Sequence, residues 1–348
     1  MFCIFSALFK TDSFMKSFRL VLLIALFTGL TCAGFAQTFE FNNPIAEQRA
    51  DPWVHKTDDG MYYLIATVPA YDRIVIRKAA TINGLKSASE KVIWKKHETG
   101  DMAKHIWAPE LHRIDGKWYV YFAAAPADDE WKIRMWALSN ASDDPMEGEW
   151  KEEGQIETDI ESFSLDATTF KLNGKRYLIW AQNVRGGEHG TALVLSEMKN
   201  PTTLTGPEVV ITEPEFSWER QKYNVNEGPA VIKHDGRIFV TYSASATNHN
   251  YCMGLLWIDD DADLLEALNW HKSPGPVFYT NEEVDRYGPG HNSFTTAADG
   301  ETVIMIYHAR DYKKIQGHEL EDPNRATRAR PVHWTASGFP DFMQKKGD

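Results

Sequence analysis

Residues 227–244 read EGPAVIKHDGRIFVTYSA. A short apolar strand runs into Asp235-Gly236 and returns as a second strand rich in aromatic and β-branched residues. Asp-Gly and Asn-Gly supply the positive φ angles that a tight type I′ hairpin turn needs, so the stretch reads as a β-hairpin. The pattern recurs as DPWVHKTDDGMYYLIAT (51–67), APELHRIDGKWYVYFAA (108–124), LDATTFKLNGKRYLIWAQ (165–182) and HNSFTTAADGETVIMIYHA (291–309). The turn glycines, Gly60, Gly116, Gly174, Gly236 and Gly300, stand 56, 58, 62 and 64 residues apart. That spacing leaves room for two further strands per unit, and four antiparallel strands make a propeller blade. A hairpin apolar on both faces is not stable alone, whereas five blades packed around an axis bury those faces on one another. The expected fold is therefore all-β, a five-bladed β-propeller in one domain spanning 37–348, preferred over a β-sandwich with coincidental turns. The C-terminal TRARPVHWTASGFPDF is expected beside the N-terminal FEFNNPIA if the ring closes, although the sequence leaves open which strand completes which blade.

Aligned on these glycines, Asp51, Asp166, Glu227 and His291 lie eight or nine residues before their turns, with Trp107-Ala108 at the matching place in the second unit. Equivalent positions in a propeller meet around the axis, which brings three carboxylates and a histidine to one end of the channel. A single acid at a strand start is commonly a backbone cap. Three in register point to chemistry, because clustered carboxylates repel and raise at least one pKa, as a general acid at neutral pH requires. Glycoside hydrolysis needs such a pair, one group to protonate the leaving oxygen and one to activate water or attack the sugar. Trp107 is a candidate to stack on the sugar, against plain packing at a blade junction. Arg310 is a candidate to orient an acid or bond a sugar hydroxyl, against a surface ion pair.

The 348 residues carry a formal charge of −12, which disfavours nucleic acid as a partner and suits a neutral oligo- or polysaccharide. Twelve tryptophans fit a protein that uses aromatic surfaces. Residues 1–36 read as a secretory signal, with Lys16 and Arg19 before the apolar run from Leu20 to Leu30 and the small Ala36 before the cut; Met15 can serve as the true start. Export to the periplasm or the exterior follows, with a lipoprotein cut before Cys32 disfavoured by the Leu30-Thr31 approach. No later segment is expected to span a membrane. Removal of the signal leaves Cys252 as the single cysteine, so no internal disulfide is expected.

The motifs RADPWV at Asp51, HIWAPELH at Trp107, SLDATTF at Asp166, NVNEGPAV at Glu227 and GPGHNSF at His291 together resemble glycoside hydrolase family 43 across essentially the whole mature chain. The resemblance implies an inverting hydrolase with Asp51 as general base, Glu227 as general acid and Asp166 raising the acid's pKa. It implies no cofactor for catalysis, and a structural calcium or sodium ion, or a water, facing His291 in the channel. A hydrogen-bonded core histidine is the competing reading of His291. The wording around Glu227 and HIWAPELH resembles the α-L-arabinofuranosidase side of the family, acting on arabinan or arabinoxylan-type glycans; a β-D-xylosidase and an endo-arabinanase are the alternatives. A retaining β-fructosidase-like enzyme is disfavoured by Leu165-Asp166-Ala167 in place of Arg-Asp-Pro, and a non-catalytic carbohydrate-binding propeller by the presence of all three acids.

Overall fold

A computed structural model describes residues 39–186, 190–342 and 344. The expected secretory signal over 1–36 lies outside the described residues. From Glu40 onward the chain is a five-bladed β-propeller, each blade an antiparallel sheet whose first strand lines the axis. Blade 1 comprises Ala50–Lys56, Tyr62–Thr67, Arg73–Ala79 and Glu90–Lys95. Blade 2 comprises Lys104–Ile114, Lys117–Ala125, Arg134–Asn140 and Lys151–Gln155. In blade 3, Ser164–Leu172, Lys175–Gln182 and Ala192–Asn200 are followed by a broken outer strand, Thr203–Leu204 and Val209–Thr212, both pieces pairing with the third strand. Blade 4 is Asn226–His234, Arg237–Ala244, Cys252–Asp259 and His271–Lys272.

Blade 5 has three strands, Tyr287–Thr296, Val303–Arg310 and Ala326–Pro331, and the segment Asn43–Ala46 serves as its fourth. Ile45 N donates to Thr327 O at 2.8 Å and Thr327 N to Ala46 O at 2.8 Å. Asn43 adds a two-way clasp: its Nδ2 donates to Ala329 O and its Oδ1 accepts from Ala329 N, both at 2.8 Å. This places TRARP beside NNPIA and settles how the ring closes.

The cores lie between neighbouring blades. Ile65, Ile74 and Ile76 of blade 1 meet Leu111, Trp118 and Val120 of blade 2, all buried, and similar clusters fill the other junctions. Alternate residues of each strand thus face opposite neighbours, which is why the inner hairpins read as apolar on both faces. Cys252 is a free, buried thiol. Among the described residues no helix is long and apolar enough to cross a membrane.

The turn reading needs one correction. Blades 2, 3 and 4 have two-residue turns with both residues at positive φ: Asp115-Gly116, Asn173-Gly174 and Asp235-Gly236. In blades 1 and 5 the loop is longer, and only Gly60 and Gly300 are left-handed. There the aspartate works through its side chain, Asp59 accepting from the Thr57 hydroxyl and Asp299 from the amides of Glu301 and Thr302.

The clasp is where the ring should be weakest. Replacing Asn43 by Ala removes two hydrogen bonds across the closure and is expected to cost about 1–3 kcal/mol, read as a lower midpoint in urea unfolding with an unchanged slope.

Candidate active site

Every inner strand carries a β-bulge at the same end of the channel, and one residue of each bulge is left-handed. These are Asp51 (φ 52°), Ala108 (44°), Asp166 (58°), Gly228 (55°) and His291 (39°). For non-glycine residues this conformation costs roughly 1–2 kcal/mol each, a strain that persists where surrounding structure enforces it. The enforcing contacts run from blade to blade. Ala108 N donates to Thr67 Oγ1 of blade 1 at 2.8 Å, His291 N to Ser243 Oγ of blade 4 at 2.6 Å, and Asp51 N to His308 Nδ1 of blade 5 at 3.0 Å. Thr67, Ser243 and His308 stand at one register on the second strands of their blades, where blade 3 has Ala181. Alanine offers no acceptor, and Gly228 N turns instead to Asp166 Oδ2 at 3.0 Å. Glu227 therefore sits one residue before the left-handed position that Asp51, Asp166 and His291 occupy. Gly228 is tightly constrained there, since a Cβ would fall 3.0 Å from the His291 ring.

Asp51 is buried and held on all sides. Its Oδ2 accepts from Thr67 Oγ1 at 2.7 Å, and its Oδ1 lies 3.3 Å from both Arg325 Nη1 and His291 Nδ1. Burial alone would raise its pKa, but the Arg325 guanidinium, foremost among its neighbours, overcomes it and holds the carboxyl well below the usual carboxylate range. His308 takes the Asp51 amide on Nδ1, so its proton lies on Nε2; burial keeps it neutral, its pKa brought down to about 3.

Glu227 is treated in the opposite way. Burial pushes it up to about 7, the charge of Asp51 adding to the rise and the Tyr251 hydroxyl, which donates to Oε1 at 2.7 Å, opposing it. Asp166 is also driven well above its ordinary value, by burial first and then by the charges of Glu227 and Asp51, against the Gly228 amide. Two carboxyls that repel in a buried space share protons, so Asp166 and Glu227 titrate as a pair while Asp51 stays ionised. The cluster can thus present a base and an acid together at neutral pH.

The remaining candidates separate. Trp107 is buried at the mouth, packed among Tyr71 (ring centroids 5.5 Å apart), His105 (4.3 Å) and the exposed Trp131 (6.4 Å). His291 stands inside the cluster, with Nδ1 turned to Asp51 and, at 3.9 Å, to Asp166. A calcium ion needs six to eight oxygen ligands. Among the described residues no group of three or more His, Cys, Asp or Glu is placed to hold a metal, and Asp51 and Asp166 are already engaged by Thr67, Arg325 and Gly228 N. The side chains at His291 do not by themselves form a calcium cage. Arg310 does not reach the cluster. Its buried guanidinium is spent on Asp322 Oδ1 (3.0 Å), Thr247 O (2.7 Å) and Glu319 O (2.9 Å), which makes it an anchor for the segment leading to Arg325.

Four neighbours escaped the sequence reading. Arg325, His308 and Tyr251 lie outside the inner strands, where the repeat alignment gives no signal. Glu110 lies within HIWAPELH, two residues past the left-handed position. Its Oε2 is 2.9 Å from His112 Nε2, and burial drives the acid well up and the imidazole well down, leaving a neutral pair beside Asp166.

Comparison with known proteins bears on this arrangement. The sequence model of glycosyl hydrolases family 43 matches residues 41–340. An "Extracellular exo-alpha-(1->5)-L-arabinofuranosidase" of Streptomyces avermitilis is 55% identical over 302 residues, 87% of this chain and 63% of that protein. A protein of the same name from Streptomyces chartreusis is 57% identical over 277 residues, 80% of this chain and 84% of its own. The chain thus spans less than two thirds of the first relative and most of the second. The crystal structure of an alpha-L-arabinofuranosidase from Lactobacillus brevis superposes with a TM-score of 0.85 at 47% identity, covering 88% of this chain and 97% of that one.

The anchoring role of Arg310 predicts a stability effect. Arg310→Met leaves the Glu319 and Thr247 carbonyls without their donor and Asp322 with Tyr312 and the Asn324 amide alone, and is expected to lower the unfolding free energy by about 1–3 kcal/mol in chemical denaturation, where a residue that only touched sugar would leave it unchanged.

Proposed function

The chain belongs to glycosyl hydrolases family 43, and from that premise we propose that it is an exported, exo-acting α-L-arabinofuranosidase that inverts configuration at the anomeric carbon. The observation that carries the reading is the opposite treatment of two buried acids at one channel end: Asp51 held ionised, Glu227 held protonated to about neutral pH. The choice of sugar, the exo mode and export lean on the names of the Streptomyces relatives, and the overall charge of −12 suits a neutral arabinan or arabinoxylan-type glycan.

In this reading a terminal arabinofuranose enters the channel end with Trp107 beside it. Asp51 takes a proton from a water molecule whose oxygen bonds to the anomeric carbon. Glu227 gives its proton to the glycosidic oxygen, which leaves with the electrons of the broken C–O bond. Arg325 keeps Asp51 ionised before the step. Asp166, bonded to the amide that follows Glu227, fixes the acid's backbone, while burial and the charge of Asp51 keep the acid's proton in place.

Hydrolysis of para-nitrophenyl α-L-arabinofuranoside, followed by proton NMR of the first sugar released, tests this. The expected first product has the anomeric configuration opposite to the substrate's; a retained configuration, or cleavage of the β-D-xyloside alone, contradicts the proposal. On arabinobiose, whose leaving group needs protonation, Asp51→Asn and Glu227→Gln are each expected to lower kcat/KM by about 10²–10⁴.

The pH dependence has a definite sign. Activity needs Asp51 deprotonated and Glu227 protonated, so kcat/KM should fall as pH rises through about 7. The acid limb should lie well below the usual carboxylate range. A pH–rate profile in which Glu227→Gln abolishes the upper limb checks the assignment.

A further inference from the structure

Tyr251 is buried immediately before the third strand of blade 4, and four contacts fix it. Its ring stacks on His308 with centroids 5.6 Å apart and planes 4° from parallel. Gly290 makes room for it, since a Cβ there would fall 2.6 Å from the ring. Its hydroxyl donates to Glu227 Oε1 at 2.7 Å, and the Ser243 hydroxyl lies on the same side of Gly290 as the ring, placed to donate to the phenol. Ser243 Oγ in turn accepts the His291 amide at 2.6 Å.

The bond from the Tyr251 O–H to Glu227 Oε1 sets the order of the other donors. The His291 N–H occupies a lone pair of Ser243, the Ser243 O–H goes to Tyr251, and the single O–H of Tyr251 goes to Glu227 Oε1. Each bond polarises the next in the same direction, toward the carboxyl. Resting on the glycosidase reading above, we propose that Tyr251 is the positioning residue of the acid: it confines the transferable proton of Glu227 to Oε2 and meets the charge left on the carboxylate when that proton departs. The transfer itself balances as before, with Oε2–H broken, the O–H of the leaving alcohol formed, and the C–O electron pair passing to that oxygen. Through His308, whose Nδ1 holds the Asp51 amide, the same ring also sets the base's place relative to the acid.

The groups around Glu227 come from several elements. Asp51 faces it from blade 1, Asp166 from blade 3, Ser243 and Tyr251 from its own blade, His291 and His308 from blade 5, and Arg325 from the segment entering the last strand. Of these, Tyr251 gives the acid a neutral hydrogen bond, so its removal changes the acid without altering local charge.

Tyr251→Phe keeps the ring against His308 and deletes the bond. With arabinobiose, whose leaving group needs protonation, kcat/KM is expected to fall about 10- to 100-fold, and with the 2,4-dinitrophenyl arabinofuranoside less than about threefold. The upper pH limb is expected to rise by about one unit, because the lost bond favoured the ionised form. Ser243→Ala, which weakens the same chain one link back, should shift the limb in the same direction by less, and carries the test if Tyr251→Phe does not fold. Equal losses on both substrates with an unmoved limb would assign Tyr251 a packing role and overturn the proposal. If the wild type cleaves no arabinofuranoside, the functional reading fails separately. Carbon-13 titration of the Glu227 carboxyl, assigned with Glu227→Gln, then decides: a higher midpoint in Tyr251→Phe supports the proposal, and an unchanged one refutes it.

Discussion

The left-handed bulge at the head of each inner strand is the constraint on which the rest of this site depends. It turns one backbone N–H out of its own ladder, and a buried N–H must find another acceptor. In three blades the acceptor is a side chain on the preceding blade's second strand: Thr67, Ser243 or His308. In a fourth, where that position is Ala181, the acceptor is Asp166. The bonds that staple neighbouring blades are therefore the same bonds that aim Asp51, Asp166, Glu227 and His291 at one volume. Strain of about 1–2 kcal/mol at each non-glycine bulge residue is offset by those bonds and by the cores between blades.

Electrostatics then divides what geometry collects. Three carboxyls share a buried space, and the cation bonded to one of them is Arg325, at Asp51. Asp51 becomes the ionised member, and its charge, with burial, keeps protons on the other two. A lone guanidinium could have neutralised Glu227 instead, and the roles of acid and base would have exchanged. Its placement rests on the segment from Glu319 to Asp322, pinned by Arg310 and by Tyr71, whose hydroxyl bonds Leu320 O. Arg310, expected from sequence to touch an acid or the sugar, acts two steps away from the chemistry by holding the residues that precede Arg325.

The fold was legible because five turn glycines at 56 to 64 residues repeat a hairpin whose two faces are both apolar. The carboxyl cluster was legible for the same reason: strand starts in a propeller converge on the axis. That the N- and C-terminal segments meet was expected, but which blade Asn43–Ala46 completes was not legible, because the segment carries no hairpin signal and acts through two asparagine bonds and a short ladder. Nor were Arg325, His308 and Tyr251, which stand on second strands or before third strands, where sequence distance from the turn says nothing about distance from the axis. The register was also one residue coarse. Glu227 reads as the equivalent of Asp51, whereas backbone conformation gives that place to Gly228. A glycine at the left-handed position and an acid just before it is what lets the acid's side chain leave the ring of left-handed residues and meet Tyr251.

The central claim is a proton inventory: below about pH 7 Asp51 carries none and Glu227 carries one. Neutron diffraction from deuterium-exchanged crystals grown near pH 6 reads that inventory directly. The account predicts nuclear density for a deuteron on Oε2 of Glu227, another on the Tyr251 hydroxyl directed at Oε1, and none on either oxygen of Asp51. A deuteron on Asp51 with Glu227 bare would reverse the acid and base and contradict the account.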